Sequence, residues 1–190
     1  MTSKPLLIIV SGAPSSGKTS IGRKIACELG LPFVFKDGIK EMLFDTLGWS
    51  DREWTEQLNL ATYAILFHFM EAQLQAGLSF VVESDFKPDE HTAKFKELEH
   101  KFKFNPVQVQ CQASDQVLLK RYKERAKSGK RHPGHMDHAN LEDFKKALQE
   151  DTYEPLALGG EILTVITDDF DKIDFPALLK TIKGEAREAA

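Results

Sequence analysis

Gly12, Gly17, Lys18 and Thr19 stand at a spacing that does one kind of chemistry well, in the stretch GAPSSGKT. The pattern G-x-x-x-x-G-K-[ST] holds the phosphates of a nucleoside triphosphate. Across Gly12, Ala13, Pro14, Ser15, Ser16 and Gly17 the small residues let the backbone curl until several N–H groups point inward. A helix beginning at Lys18 brings the positive end of its dipole to the same place. Lys18 reaches the β- and γ-phosphates, the Thr19 hydroxyl can ligand Mg²⁺, and Ser20 closes the binding stretch. The plainer reading, a glycine turn joining a strand to a helix, explains neither the lysine nor the hydroxyl after it.

Three further groups carry chemistry. Asp37 follows an apolar run in FVFKDGIK, which puts a carboxylate at the carboxyl edge of a sheet, where such sheets bind their ligands. There it can orient an attacking hydroxyl and take its proton; the competing role is the N-cap of a helix over 38–47. Lys40, one turn on, either holds an anionic group of a substrate or is solvated. Glu83 and Asp85 in VVESDF point the same way along an extended chain. The stretch KRYKERAKSGKRHPGH from Lys120 is the one strongly basic segment. In it Arg121 and Arg125 sit a helical turn apart and Arg131 lies in the following loop, able to close over phosphates as charge spreads in a transition state. A nucleic-acid groove lacks a stacking platform beyond Tyr122, and a solvated helix face is the third reading. His132, His135 and His138 recur every three residues, but Pro133 and Gly134 break the helix that would align them, so no transition-metal site is expected.

These residues need a frame. With 190 residues, 42% of them hydrophobic and 28% charged, the chain suits one domain over 1–190 rather than a disordered or membrane class. A net charge of −4 gives no general attraction to nucleic acid. Two cysteines without a CxxC spacing fit a reducing, cytoplasmic setting, and no run reaches the ~18 apolar residues of a membrane span. Leu6 to Val10 is apolar at every position, as in a strand covered on both faces. A helix over Lys18 to Leu29 with Gly30 as its C-cap follows, and strands are expected at 32–35, 79–83, 107–111 and 162–166. Helical patterns fill the gaps, so the fold class is α/β with a parallel sheet and helices on both faces. The longest helix is expected over 51–76, started by a Ser50–Glu53 capping box and buried on more than one face. Residues 129–140 read as a loop. Trp49, Trp54, Tyr63 and Phe67 are available to wall an acceptor pocket, or to pack the core.

Taken from the first strand through GAPSSGKT, KDGIK and VVESDF to the Arg-bearing loop, the chain resembles the small P-loop kinases. The group includes polynucleotide kinases, chloramphenicol phosphotransferase and the zeta toxins. The resemblance implies a three-layer sandwich whose five-stranded parallel sheet runs 2-3-1-4-5, with a mobile lid at about 125–140. It also implies transfer of the ATP γ-phosphate, with Mg²⁺, to a hydroxyl. Asp37 would be the base, Lys18, Arg125 and Arg131 the other catalytic groups, and Arg121 a nucleotide contact. Thr19 and Asp85 would serve the metal, with Glu83 the alternative to Asp85. The leading expectation is a small-molecule kinase. A polynucleotide 5′-hydroxyl kinase and a nucleotide-dependent switch or partner-binding ATPase are the other two; a switch needs no base on the acceptor side.

Overall fold

The computed structural model describes residues 4–129, 131–136, 141–150 and 153–188. Strand β1 (Leu6–Gly12) is buried along its whole length. It pairs in parallel with β3 (Phe80–Glu83) on one side and β4 (Asn105–Gln112) on the other. β2 (Phe33–Phe35) extends the sheet beyond β3, and β5 (Glu161–Ile166) extends it beyond β4. The strand order is thus 2-3-1-4-5 and every pairing is parallel.

Alternation along β1 sends its side chains to two apolar layers. Leu7 and Ile9 join Leu66, Met70, Phe80, Phe86 and Phe95 beneath α3 (Arg52–Gln75) and α4 (Pro88–Phe102). Leu6, Ile8 and Val10 face Ile21 and Ile25 of α1 (Lys18–Leu29) and Ile182 of α7 (Phe175–Glu188). A smaller cluster of Ala13, Leu118, Tyr122 and Phe144 fixes α5 (Asp115–Lys127) to α6 (Leu141–Glu150) near the carboxyl edge of the sheet. Gln108 of β4 exchanges two hydrogen bonds with the Leu156 backbone, which satisfies a polar side chain that is otherwise sealed in the core.

Several local expectations change. α3 is capped by Asp51, whose carboxylate accepts from the Trp54 N–H at 2.8 Å, in place of the Ser50–Glu53 box. Its buried residues Leu58, Thr62, Leu66, Met70 and Leu74 form a single stripe at every fourth position, while Leu60 and Ile65 face solvent, so the helix is not buried on several faces. α2 spans Lys36–Leu47 with Phe35 as its N-cap residue, so Asp37 lies inside the first turn and does not cap a helix over 38–47. β4 runs two residues earlier and one later than the apolar pattern 107–111 indicates, because Asn105, Pro106 and Gln112 continue its register with β1 and β5. Among the described residues, no helix is long and apolar enough to cross a membrane.

Candidate active site

Between β1 and α1 the chain wraps tightly, with positive φ at Gly12 (140°), Ser15 (68°) and Gly17 (83°). A Cβ on Gly12 would strike the Cys111 carbonyl oxygen, and one on Gly17 would strike the Phe170 ring, so both positions need glycine for space as well as for conformation. α1 has neither a side-chain cap nor an acidic residue in its first turn, which leaves the positive end of its dipole uncompensated. The Ser15 and Ser16 hydroxyl oxygens are buried and have no hydrogen-bond partner among the described residues. Orphaned hydroxyls of this kind cost stability until an acceptor reaches them, and a phosphate oxygen is such an acceptor. The loop is held from behind by Thr167, whose hydroxyl donates to the Ser16 carbonyl at 2.7 Å. Ser20 is exposed, and its N–H bonds to the Gly17 carbonyl.

The loop opens onto a cavity of 410 Å³. Lys18, Asp37, Lys40, Glu83, Asp85, Arg125 and Arg131 all line it, so residues from six separate elements or loops converge there. Lys18 Nζ lies 3.4 Å from the Ala13 carbonyl and 3.9 Å from Glu83 Oε1. The Thr19 hydroxyl donates to Glu83 Oε2 at 2.6 Å. Burial pushes the Glu83 carboxyl upward, and Lys18 and Thr19 pull against that without reversing it. An oxygen pair of hydroxyl and carboxylate beside a phosphate cradle is the donor set a hard divalent cation prefers, so the residues present fit Mg²⁺.

Asp85, two residues on, is differently engaged. It accepts from Lys36 Nζ at 2.7 Å, from the Ser84 hydroxyl at 3.0 Å and from the Tyr63 hydroxyl at 3.2 Å. Burial would raise its pKa, but Lys36 and Lys18 hold it far below the usual carboxylate range. Because the folded-state value is depressed, the associated stability is complete above pH ~4 and is lost as the pH falls. Replacing Asp85 by Asn strands the buried Lys36 ammonium. We expect Asp85→Asn to cost about 3 kcal/mol of unfolding free energy at neutral pH, read from urea denaturation; an unchanged midpoint would mean that the pair contributes nothing net.

Asp37 lies in the first turn of α2, and its Oδ2 accepts from Arg131 at 3.0 Å. Burial opposes the charge of Asp37, but Arg131, His135, Lys18 and Lys36 together bring its pKa down to about 2. The segment carrying Arg131 packs against the acidic face of α2. Arg131 meets Asp37, His135 Nε2 stands 2.9 Å from Glu41, and His132 Nε2 stands 3.2 Å from Asp45. The three carboxylates repeat every fourth residue and so share one face of the helix. His132 also stacks on Phe44, at 5.1 Å between ring centroids. His135 is pushed down to about 3, first by burial and then by Arg131, so it is neutral at physiological pH. His138 and the rest of 137–140, together with Lys130, lie outside the described residues, so the lid expected at 125–140 is described only for 125–129 and 131–136.

The arginines of α5 separate. Arg125 lines the cavity, with its guanidinium over Tyr122. Arg121 turns away to donate to the Thr167 carbonyl at 2.5 Å and the Asp168 carbonyl at 3.2 Å, and lies over the Phe170 ring at 4.8 Å. Phe170 also borders Gly17, which puts Arg121 and this ring beside the phosphate loop and outside the cavity that Asp37 lines. Neither Phe170 nor the Lys36–Asp85 pair stands out in the sequence; the one signal for Lys36 is its place between a strand end and Asp37. The aromatic wall expected from Trp49, Trp54, Tyr63 and Phe67 does not line the cavity. Tyr63 and Phe67 pack against the core, Trp54 donates to the Gly48 carbonyl, and Trp49 meets His132 edge-on. The cavity is instead lined mainly by charged and polar groups. Among the described residues no cluster of His, Cys, Asp and Glu is arranged to hold a metal by itself.

A phosphate loop after the central strand of a 2-3-1-4-5 parallel sheet defines a P-loop fold of the kinase-like kind. Residues 7–150 match the AAA_33 family, described as an AAA domain, and the chain belongs to that family. It is similar to a crystal structure described as a "putative kinase" from Chloroflexus aurantiacus J-10-fl, at 38% identity over 96% of this chain and 98% of that one, with a TM-score of 0.90. Two more distant structures share the fold. Chaetomium thermophilum Kti12 in complex with ADP-AlF3 is 14% identical, with 97% and 98% of the chains covered and a TM-score of 0.65. The APS kinase CysC of Mycobacterium tuberculosis in complex with AMPPNP and APS is also 14% identical, with 98% and 99% covered and a TM-score of 0.55. No curated protein matches the sequence.

Proposed function

We propose that the protein is an ATP-dependent kinase that transfers the γ-phosphate to a hydroxyl of a small molecule. The observation that carries this reading is Asp37, a carboxylate lining the same cavity as Lys18. An enzyme that only hydrolysed nucleotide as a switch needs a group that positions water but no base for an acceptor hydroxyl. The kinase description of the Chloroflexus aurantiacus relative supports the same class.

In this account the phosphate loop and the start of α1 bind the triphosphate, Ser15 and Ser16 supply hydroxyl donors, and Arg121 with Phe170 flanks the nucleotide. Magnesium would be held by Thr19 and, directly or through water, by Glu83, and would offset charge on the β- and γ-phosphates. Glu83 takes this role in place of Asp85, which is committed to Lys36. Asp37 orients the acceptor hydroxyl. As the hydroxyl oxygen bonds to the γ-phosphorus, its proton passes to the Asp37 carboxylate, the bond from phosphorus to the β–γ bridging oxygen breaks, and ADP leaves. Lys18 and the arginines meet the charge that moves onto the transferring oxygens.

Arg131 has two positions in this scheme. Paired with Asp37 it depresses the base; drawn onto the γ-phosphate it releases Asp37 to bind a hydroxyl, so closing over ATP and arming the base become one event. Arg131→Ala and Arg125→Ala are expected to lower kcat about tenfold or more while changing ATP affinity less, because these contacts strengthen as charge moves outward. Unchanged kcat for both at saturating substrate would return the segment to a solvated face. The direct test of the function is ATP consumption with and without a panel of hydroxyl-bearing metabolites, antibiotics and oligonucleotides. Stimulation by a small molecule supports the reading, and stimulation by oligonucleotide ends alone would replace it with a polynucleotide kinase.

A further inference from the structure

Lys40 is an unusual lysine. It is only 9% exposed, yet no carboxylate among the described residues forms an ion pair with it. Every other buried or half-buried cation named in the cavity has a counter-ion or a further contact: Lys18 has Glu83, Lys36 has Asp85, and Arg131 has Asp37. Lys40 has the Phe44 ring at 5.7 Å from its Nζ, and it lines the cavity. A buried ammonium without an anion is costly, and proteins keep such groups where a ligand completes them. The burial pushes its pKa down to about 8, with Lys36 adding to the effect and the more distant Asp37 and Asp85 pulling against it, which leaves it mostly protonated at neutral pH.

Its place on α2 says what that ligand is. Asp37 and Lys40 are three residues apart on one helix and both face the cavity, so their side chains leave the helix about 5–6 Å apart. We propose that the acceptor is a small hydroxy acid or sugar phosphate whose anionic group, a carboxylate or a phosphate, is bound by Lys40 while a hydroxyl a few bonds away is held at Asp37. The inference rests on the kinase reading above and narrows it. The neighbouring charges favour one orientation: the Asp37 carboxylate repels an anionic group and accepts from a hydroxyl, so the acid is seated with its anion at Lys40 and its hydroxyl at Asp37. The charged groups on the α2 side of the cavity suit a compact hydrophilic substrate, while Tyr122, Phe144 and Tyr153 supply apolar surface elsewhere in its lining.

The test uses matched acceptors that differ in charge: glycerate against glycerol, galacturonate against galactose, and ribose 5-phosphate against ribose. Phosphorylation of each is followed with ATP and Mg²⁺ for the wild type and Lys40→Met. The wild type is expected to favour the charged member of a pair at least about tenfold in kcat/KM, and the carboxylate and phosphate pairs identify which anion is meant. Lys40→Met is expected to raise KM for that acceptor about tenfold to a hundredfold with a smaller change in kcat, removing the preference. Without any acceptor, Lys40→Met is expected to raise the melting temperature by about 2–4 °C, since it removes an unpaired buried charge at nearly constant volume. Equal use of neutral acceptors, or a KM indifferent to Lys40→Met, overturns the anionic site and leaves the kinase standing. A lower melting temperature for the variant makes Lys40 a structural residue and also overturns it. Failure of every acceptor, charged and neutral, withdraws the kinase reading and the inference together.

Discussion

Lys18→Ala is expected to reduce phosphotransfer about a hundredfold to a thousandfold, with the fold intact. The ammonium reaches the oxygens on which charge accumulates, in a cavity where water does not compete strongly, and a single donor of that kind is worth ~10²–10³ in rate. Its structural cost is small. Lys18 makes one long contact with the Ala13 carbonyl and one with Glu83, and it fills no part of the apolar layers. Circular dichroism and a thermal melt separate loss of chemistry from loss of fold. Full transfer by a well-folded Lys18→Ala would remove the phosphate loop from the reaction.

Asp37→Asn is expected to lower transfer by ~10² or more while leaving ATP affinity close to that of the wild type. Asparagine keeps the shape of the side chain and part of its hydrogen bonding but cannot take the proton. Basal hydrolysis, in which water attacks, is expected to fall less than transfer does. The pH profile carries a second signature. With Asp37 at about 2 in the open form, the base is ionised through the ordinary assay range, and kcat/KM should lose activity only at strongly acidic pH. Arg131→Ala removes the main favourable charge beside Asp37, so its acid limb should move to higher pH. An acid limb that does not respond to Arg131 would mean that another group titrates. Parallel loss of binding and transfer in Asp37→Asn would point to damage at the nucleotide site.

The parts of this molecule that were legible in the sequence are those set by neighbours along the chain. An unbroken apolar run followed by GAPSSGKT and an amphipathic helix is local information, and β1, the phosphate loop and α1 appear where it predicts. The alternation of strands and helices gave a parallel α/β sheet, although the strand order came only through resemblance to P-loop kinases. What failed depends on distant partners or on single caps. Nothing near Ser50 shows that Asp51 makes the better cap, and the helix pattern around 61–74 does not reveal that one stripe alone meets the sheet. Choosing between Glu83 and Asp85 requires knowing that Thr19, 64 residues earlier, reaches the first and that Lys36, 49 residues earlier, reaches the second. Arg121 and Arg125 look equivalent at R-x-x-x-R spacing, but a helix turns ~100° per residue, and only the position of β5 decides which guanidinium finds the Thr167 carbonyl. Lys40 was ambiguous for the same reason: solvated and buried lysines look alike until α2 packs.

On the proposed function, the γ-phosphate held by this loop goes to a hydroxyl. The most direct measurement follows the label from ATP carrying radioactive γ-phosphate, incubated with the protein, Mg²⁺ and the acceptor selected by the consumption screen. The label is expected in an acid-stable phosphate ester formed in step with ADP, and Asp37→Asn is expected to slow formation of the ester by ~10² or more while the protein still binds ATP. Label recovered only as inorganic phosphate, at the same rate with and without acceptors, would contradict it.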